Sequence, residues 1–454
     1  MKSFRKCQAL SSFSAADGLL IWTCFACLVL PIGWWKRGEV KASKKLIDIN
    51  RQAYGIGRGL KLLGHLSWPA HFESEFLKAL EKKKATLPEI SYEKIDYSEQ
   101  KDQLTKLCKS FTPSSPLEMF TWTTIKSYID LIDLNHTIGT PEFCELSKVV
   151  FGLPGDRFPS SEVTNIEAAK QVVRLSKDFD FPYIKEPDVC IMADSIKQYL
   201  ERRIRGVFGE IGPRVEVVDG LAAKATATAQ RIKIRNGTHF TSYDFKQLFY
   251  HEVMTHSLTA INGGLQDQLF CMGCSSPRTL KTQEGLATFS EVITGSIDIS
   301  RLKRLSLRIL AIDMALGGAD FRDVYQFFKT HGQSPQESYA STQRLFRGGY
   351  PDKNIIFTKD CIYLDGLMQV HTLFRWAMKH NRLELAHLLF SGRISAEDVF
   401  LLEEAYKSGT IVHPKYLPGW FAKIEGLAGS LVFSLLANII RINVDGPSGL
   451  EKPA

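Results

Sequence analysis

The sequence lacks the dense cysteine spacing of a disulfide-stapled scaffold. Its 9 cysteines are scattered over 454 residues, which excludes a small secreted framework and points to a reducing compartment. Cys271-Met-Gly-Cys274 is the one CxxC outside the N-terminal apolar run. No second Cys/His pair at finger spacing follows it to complete a four-ligand zinc site, so two loop thiols are favoured over a redox or metal pair. DNA- and RNA-binding motifs are missing too, and the formal net charge of +8 is spread along the chain. Nucleic acid is therefore not expected as a partner, and the mild basic excess suits a carboxylate-rich peptide or an anionic membrane face better. The absence of any repeat of 20 to 50 residues, or of any low-complexity tract, excludes a solenoid or a fibrous chain.

Long apolar runs are scarce. Only Gly18 to Trp35, "GLLIWTCFACLVLPIGWW", is free of charge over a bilayer-length stretch, against the roughly 20 residues a spanning helix needs. Trp34 and Trp35 suit an interface, whereas Pro31 and the shortness count against a span. A membrane anchor, a buried or amphipathic helix and a non-native upstream extension all remain open for this segment. Because Lys36, Arg37, Lys41, Lys44 and Lys45 follow it, a true span would leave the main body on the cytoplasmic side. A cytoplasmic protein, anchored or free, is the expectation. The run Gly426 to Ile440 carries Asn438 and two glycines and is expected as a core helix.

With 44% hydrophobic residues the remainder can bury a large core. Residues 1–43 read as an extension, 44–160 as a helical portion, and 161–454 as a catalytic core. "LIDINRQAYGIGRGLKLLGHLSWP" keeps apolar residues at helical intervals, and breaks fall at "FTPSSP" (111–116) and "GLPGDRFPSS" (152–161). Between Arg214 and Arg235 the pattern turns β-branched and alternates at "RIKIR", as one or two strands would. Thr241 and Asp244 then form a cap signature for a helix running to Gly263-Gly264. Further helices follow from Lys281 onward. The expected class is α+β, mostly helical, with a small sheet preceding the helix of interest.

That helix contains "FYHEVMTHSLTAINGG", where His251 and His256 are five positions apart and Glu252 follows the first. An α-helix turns about 100° per residue, so residues five apart diverge by about 140° and cannot grip one ion. One extra residue accommodated as a π-bulge would bring them back to one face, and such bulges concentrate at functional sites. The spacing thus predicts a departure from α geometry. A catalytic zinc needs three protein ligands and an open position. Glu284, expected to open the helix "EGLATFSEV", supplies the third, making a His₂Glu set for one Zn2+ ion. Glu252 would be the general base, and Glu291, two turns on, a partner for a ligating histidine.

"HEVMTHSLTAING" followed by "TQEGLATFSE" resembles the QEGLA-motif proteins, bacterial members of which are labelled flavohaemoglobin expression-modulating. Their animal relatives are microtubule-associated tyrosine carboxypeptidases. The similarity runs through "RLKRLSLRILAIDMALGGADFRDVYQFF", "RLFRGG" and "FTKDCIYLDGL". It implies a zincin-like metallopeptidase with His251, His256 and Glu284 on the metal, Glu252 as base, and a peptide or protein C-terminal tail as substrate. The "CMGCSSPRTLK" loop is not a feature of the resemblance.

A carboxypeptidase must hold a terminal carboxylate and stabilise an oxyanion. Arg344 to Tyr363 supplies Arg344, Arg347, Tyr350, Lys359 and Tyr363 around Gly348-Gly349. Arg347 is expected on the carboxylate with Lys359 assisting, and Tyr363 on the oxyanion. Strand Arg231 to Arg235 is a candidate to pair with an extended peptide by edge addition. Two other classes stay in view: a regulatory protein whose metal is structural, and a factor whose membrane anchor is the working part.

Overall fold

A computed structural model describes residues 41–432, apart from 62–63, 67, 70, 82–86, 88, 94, 178, 180–190, 222, 239, 424 and 430–431. The apolar run 18–35 and most of 426–440 lie outside the described residues. Among the described residues no helix is long and apolar enough to cross a membrane. The architecture is α+β and mostly helical, with one small sheet immediately before the histidine helix.

The first described helix, Lys44–Gly57, starts at a Ser43 cap and buries Leu46, Ile49 and Ala53. It stops at Gly57 and does not continue toward Pro69 as the periodicity suggested. Glycines at 55, 57 and 59 each lower helical preference by about 1 kcal/mol, and Gly57 is needed for packing, since a Cβ there would lie 2.5 Å from Tyr128 Cζ. The expected breaks hold: Ser98–Lys109 is separated from Pro116–His136, and Pro141–Phe151 ends at Gly152.

Three strands follow helix Ala193–Phe208: β1 (Arg214–Val218), β2 (Ala225–Ala227) and β3 (Arg231–Arg235). Their order is β1-β3-β2, with β1 parallel and β2 antiparallel to β3. Ile232 and Ile234 of β3 are fully buried, while the alternate residues Arg231, Lys233 and Arg235 take the other face, as a pleat requires. Edge pairing of a peptide with β3 is ruled out, because hydrogen bonds to β1 and β2 already occupy both of its edges.

Two large apolar cores meet along the helix that carries Glu284, where Leu286 and Phe289 belong to one and Leu280 packs against the other. One gathers Ile232, Ile234, Phe249, Val253, Leu286, Phe289 and Phe374. The other gathers Phe76, Phe143, Phe321, Phe328, Phe346 and Phe357. The histidines and Glu284 sit on elements of the first core, and the 344–363 segment is anchored in the second, so the candidate site lies where the two meet.

Candidate metal centre and its cationic flank

Thr241 and Asp244 form a reciprocal capping box, and helix Ser242–Leu248 passes into a π-helix over Phe249–Ser257 before α geometry resumes at Leu258–Gly263. In a π turn the backbone bonds run five residues back, so His251 and His256 share a face; their ring centroids are 4.8 Å apart. Side chains secure the wider turn. Thr255 Oγ1 donates to the Tyr250 carbonyl at 2.9 Å, again five residues back. The His256 carbonyl accepts from Arg393 Nη2 at 3.2 Å and from Thr259 Oγ1 at 3.4 Å.

Glu284 does not open its helix. The helix spans Pro277–Ile293, started by a Ser276 capping box with Thr279 and a proline at its first position, a signal present in "CSSPRT" that the apolar pattern concealed. Glu284 is thus two turns inside a rigid element. Its neighbour Gly285 lets this helix cross Ile362–Lys379 in backbone contact: a Cβ at Gly285 would overlap the Gly366 carbonyl carbon. Thr259 Oγ1 donates to Gln283 Oε1 at 2.9 Å and ties the histidine helix to the Glu284 helix.

Glu284 Oε2 lies 3.5 Å from His251 Nε2 and 3.8 Å from His256 Nε2, and one ligand atom from each of the three side chains fits within 4.8 Å. Zinc bonds of about 2.0–2.2 Å in tetrahedral geometry separate ligand atoms by roughly 3.4 Å. The two imidazoles and one carboxylate therefore suit a zinc-like ion in donor type, and the two Glu284 separations lie near that spacing.

The outer atoms of these candidate ligands are engaged. Glu291, fully buried, accepts from His251 Nδ1 at 2.6 Å, from Gln247 Nε2 at 3.1 Å and from Arg301 Nη2 at 2.7 Å. Burial opposes ionisation of Glu291, but the Arg301 charge and the His251 hydrogen bond outweigh it and pull the carboxyl down to about 2. Glu284 Oε1 accepts from Lys359 Nζ at 3.1 Å. Against its own burial, Lys359 and then the two histidines hold Glu284 well below the ordinary carboxylate range. Burial likewise opposes charge on His251, yet hydrogen bonds to Glu284 and Glu291 raise it to about 10. The centre thus favours positive charge between its acids, the electrostatic condition for holding a cation. Glu252, 8% exposed, adjoins this charge and lies among the acids that act on Arg393.

The 344–363 segment divides. Lys359, expected on substrate, is 3% exposed and bonded to Glu284 and, at 3.4 Å, to Tyr363 Oη. Arg344 makes a bidentate pair with Asp360 at 2.6 and 2.7 Å and reaches Tyr363 Oη at 3.3 Å. Arg347 is buried over the Phe357 ring, 5.3 Å from its centroid, with its Nε unpartnered. Tyr350 is turned away, packed on Tyr92 at 6.1 Å. Sequence inspection missed Asp360, Arg301 and Arg308. The arginines at 301, 304 and 308 recur at helical spacing along Ile299–Leu316, a stripe that was legible, although its partners were not.

Cys271 and Cys274 are free thiols. The Cys271 backbone N–H donates to Asn50 Oδ1 at 2.9 Å, and burial pushes both thiols above their ordinary range.

Comparison with known proteins bears on most of the chain. The family model for microtubule-associated tyrosine carboxypeptidase matches residues 74–438. No curated protein matches. Among solved structures, Trypanosoma cruzi metallocarboxypeptidase 1 aligns with a TM-score of 0.40 and 12% identity, covering 80% of this chain and 94% of that one.

Proposed function

The chain belongs to the microtubule-associated tyrosine carboxypeptidase family, and from that premise we propose that it is a zinc-dependent carboxypeptidase releasing the C-terminal residue of a peptide or protein tail. The observation that carries the proposal is the His251, His256 and Glu284 cluster, whose ligand atoms lie within 4.8 Å of one another, with Glu252 following the first histidine. Zinc bound there would polarise the scissile carbonyl and lower the pKa of a water to be used as nucleophile.

The chain's own groups then have separable tasks. Glu252 accepts the proton of the attacking water and returns it to the leaving amine. Tyr363 receives hydrogen bonds on its phenolic oxygen from Lys359 and Arg344, which leaves its own O–H to donate to the developing oxyanion. Arg347, buried without a carboxylate partner among the described residues, takes the substrate's terminal carboxylate. Lys359 acts one step back, fixing Glu284 and the phenol together. The free cysteines at 108, 144, 271, 274 and 361 suit a cytoplasmic, reducing setting.

The test is to incubate the full-length protein and Glu252→Gln with a diverse peptide mixture and read the products by mass spectrometry. Loss of C-terminal residues with the wild type alone is the expected result. Internal cuts would retain the peptidase and discard Arg347 as a terminal-carboxylate anchor. No difference between the two proteins, with zinc bound to both, would shift the function to a regulatory protein with a structural ion.

A further inference from the structure

The cations around Tyr363 outnumber the anions that face them. Along helix Ile299–Leu316, Arg301 makes a bidentate pair with Glu291 and Arg304 reaches Glu337 at 3.4 Å. Arg308 makes no hydrogen-bonded carboxylate pair of this kind among the described residues. It stands 3.5 Å from Asp360, whose two oxygens are already taken by Arg344. Lys359 is committed to Glu284. Arg347, 7% exposed, lies over the Phe357 ring and makes no salt bridge among the described residues. The Nε atoms of Arg308 and Arg347 are both buried without a hydrogen-bond partner among the described residues. Among the described residues, four cations (Arg308, Arg344, Arg347 and Lys359) therefore face two carboxylates, Asp360 and Glu284, and on the proposed reading Glu284 also serves the metal.

Buried charges are ordinarily paired. On the carboxypeptidase reading above, a substrate's terminal carboxylate at Arg347 cancels one of the excess charges and leaves another. We infer that Arg308, together with Arg344 and Arg347 beside Tyr363, forms a second anion subsite adjoining the terminal-carboxylate site. It takes one monoanionic group, supplied either by an acidic side chain on the substrate's last residue or by a small inorganic anion such as chloride. The electrostatics agree. Burial, and then repulsion from Arg344, draws Arg308 down to about 9 and Arg347 to about 10, the response of cations that lack counter-charge. The two sources share one chemistry, a compact negative group received by guanidinium N–H donors.

The test uses the full-length, zinc-loaded protein and peptides identical but for the last residue, Glu against Gln and Asp against Asn. Rates are measured in sodium gluconate and in sodium chloride at matched ionic strength, and melting temperature is recorded in both salts without peptide. If the substrate fills the subsite, acid-ended peptides exceed amide-ended ones about tenfold or more in kcat/KM, and chloride narrows the gap by competing. If an inorganic anion fills it, chloride accelerates amide-ended peptides and raises the melting temperature, with little preference between the ends. Arg308→Gln abolishes either signature, and Arg308→Lys, which keeps the charge, retains part of it. Equal rates for both ends, together with identical melting in both salts, would overturn the subsite. If no peptide is cleaved, the carboxypeptidase reading fails by itself, and a chloride-dependent rise in melting that Arg308→Gln removes still decides the subsite.

Discussion

On the proposed ligand flank of the centre, the outer atoms of His251 and Glu284 are engaged by Glu291 and Lys359, while on the proposed substrate flank Arg308 and Arg347 each bury an Nε with no hydrogen-bond partner among the described residues. The contrast separates two kinds of polar burial. A ligand shell must hold its side chains in one geometry whether or not the ion is bound, so its hydrogen bonds close within the protein. A substrate site gains affinity only from bonds left unmade, so it keeps donors in reserve and is stabilised when the ligand supplies the acceptor. Asp360 joins the two flanks, since among the described residues it is the carboxylate that offsets both Arg344 and Arg308 while sitting next to Lys359 in the chain.

Breaking that link should give the largest effect on stability. Asp360→Asn leaves two buried guanidinium groups without a counter-charge, and we expect a loss of about 3–5 kcal/mol in chemical denaturation. Against the cost of burial, Arg344 and then Arg308 hold the Asp360 carboxyl well below its ordinary range. Its contribution is therefore fully present above the unfolded pKa of about 3.9 and is lost as pH falls through the lower folded value. The Asn variant should show a flatter acid limb of stability than the wild type, and an unchanged limb would dismiss the pair as a source of acid sensitivity.

On the other flank, Glu291→Gln keeps the shape but weakens the hold on His251 Nδ1 and strips the counter-charge from Arg301. We expect zinc affinity to fall about 10- to 100-fold in competition with a chromophoric chelator. An unchanged affinity would mean that Glu291 serves packing and not the ligand. Gly285→Ala probes the scaffold beneath both flanks. With no room for a Cβ against Gly366, the helices must part, at a cost of about 1–3 kcal/mol and a small loss of activity. A thermal melt matching the wild type would show that the crossing yields without strain.

Much of the ligand flank was legible in the sequence because its geometry is local. Histidines five apart on a capped helix either diverge or require a π turn, and the helix is π over Phe249–Ser257. The small sheet before it was legible from the alternation in "RIKIR", but its strand order was not, so whether β3 lay at an edge stayed open until the order β1-β3-β2 placed it in the middle. The start of the Glu284 helix was misplaced because Ser276-Pro277 lies beside the CxxC loop, where polar residues hide a cap. The substrate flank was the least legible. Arg308 and Asp360 come from separate elements, and no local pattern states that one carboxylate must serve two arginines. Gly285 shows the same limit: within a helix a glycine is only a mild defect, and its purpose emerges when Gly366 arrives from another helix.

The central claim is that His251, His256 and Glu284 hold one zinc ion beside Glu252. The most direct test is the zinc content per chain, by elemental analysis, of the purified full-length wild type, His256→Ala and Glu252→Gln. The account predicts one ion in the wild type and in Glu252→Gln, and little or none in His256→Ala. Equal zinc in all three proteins would contradict it.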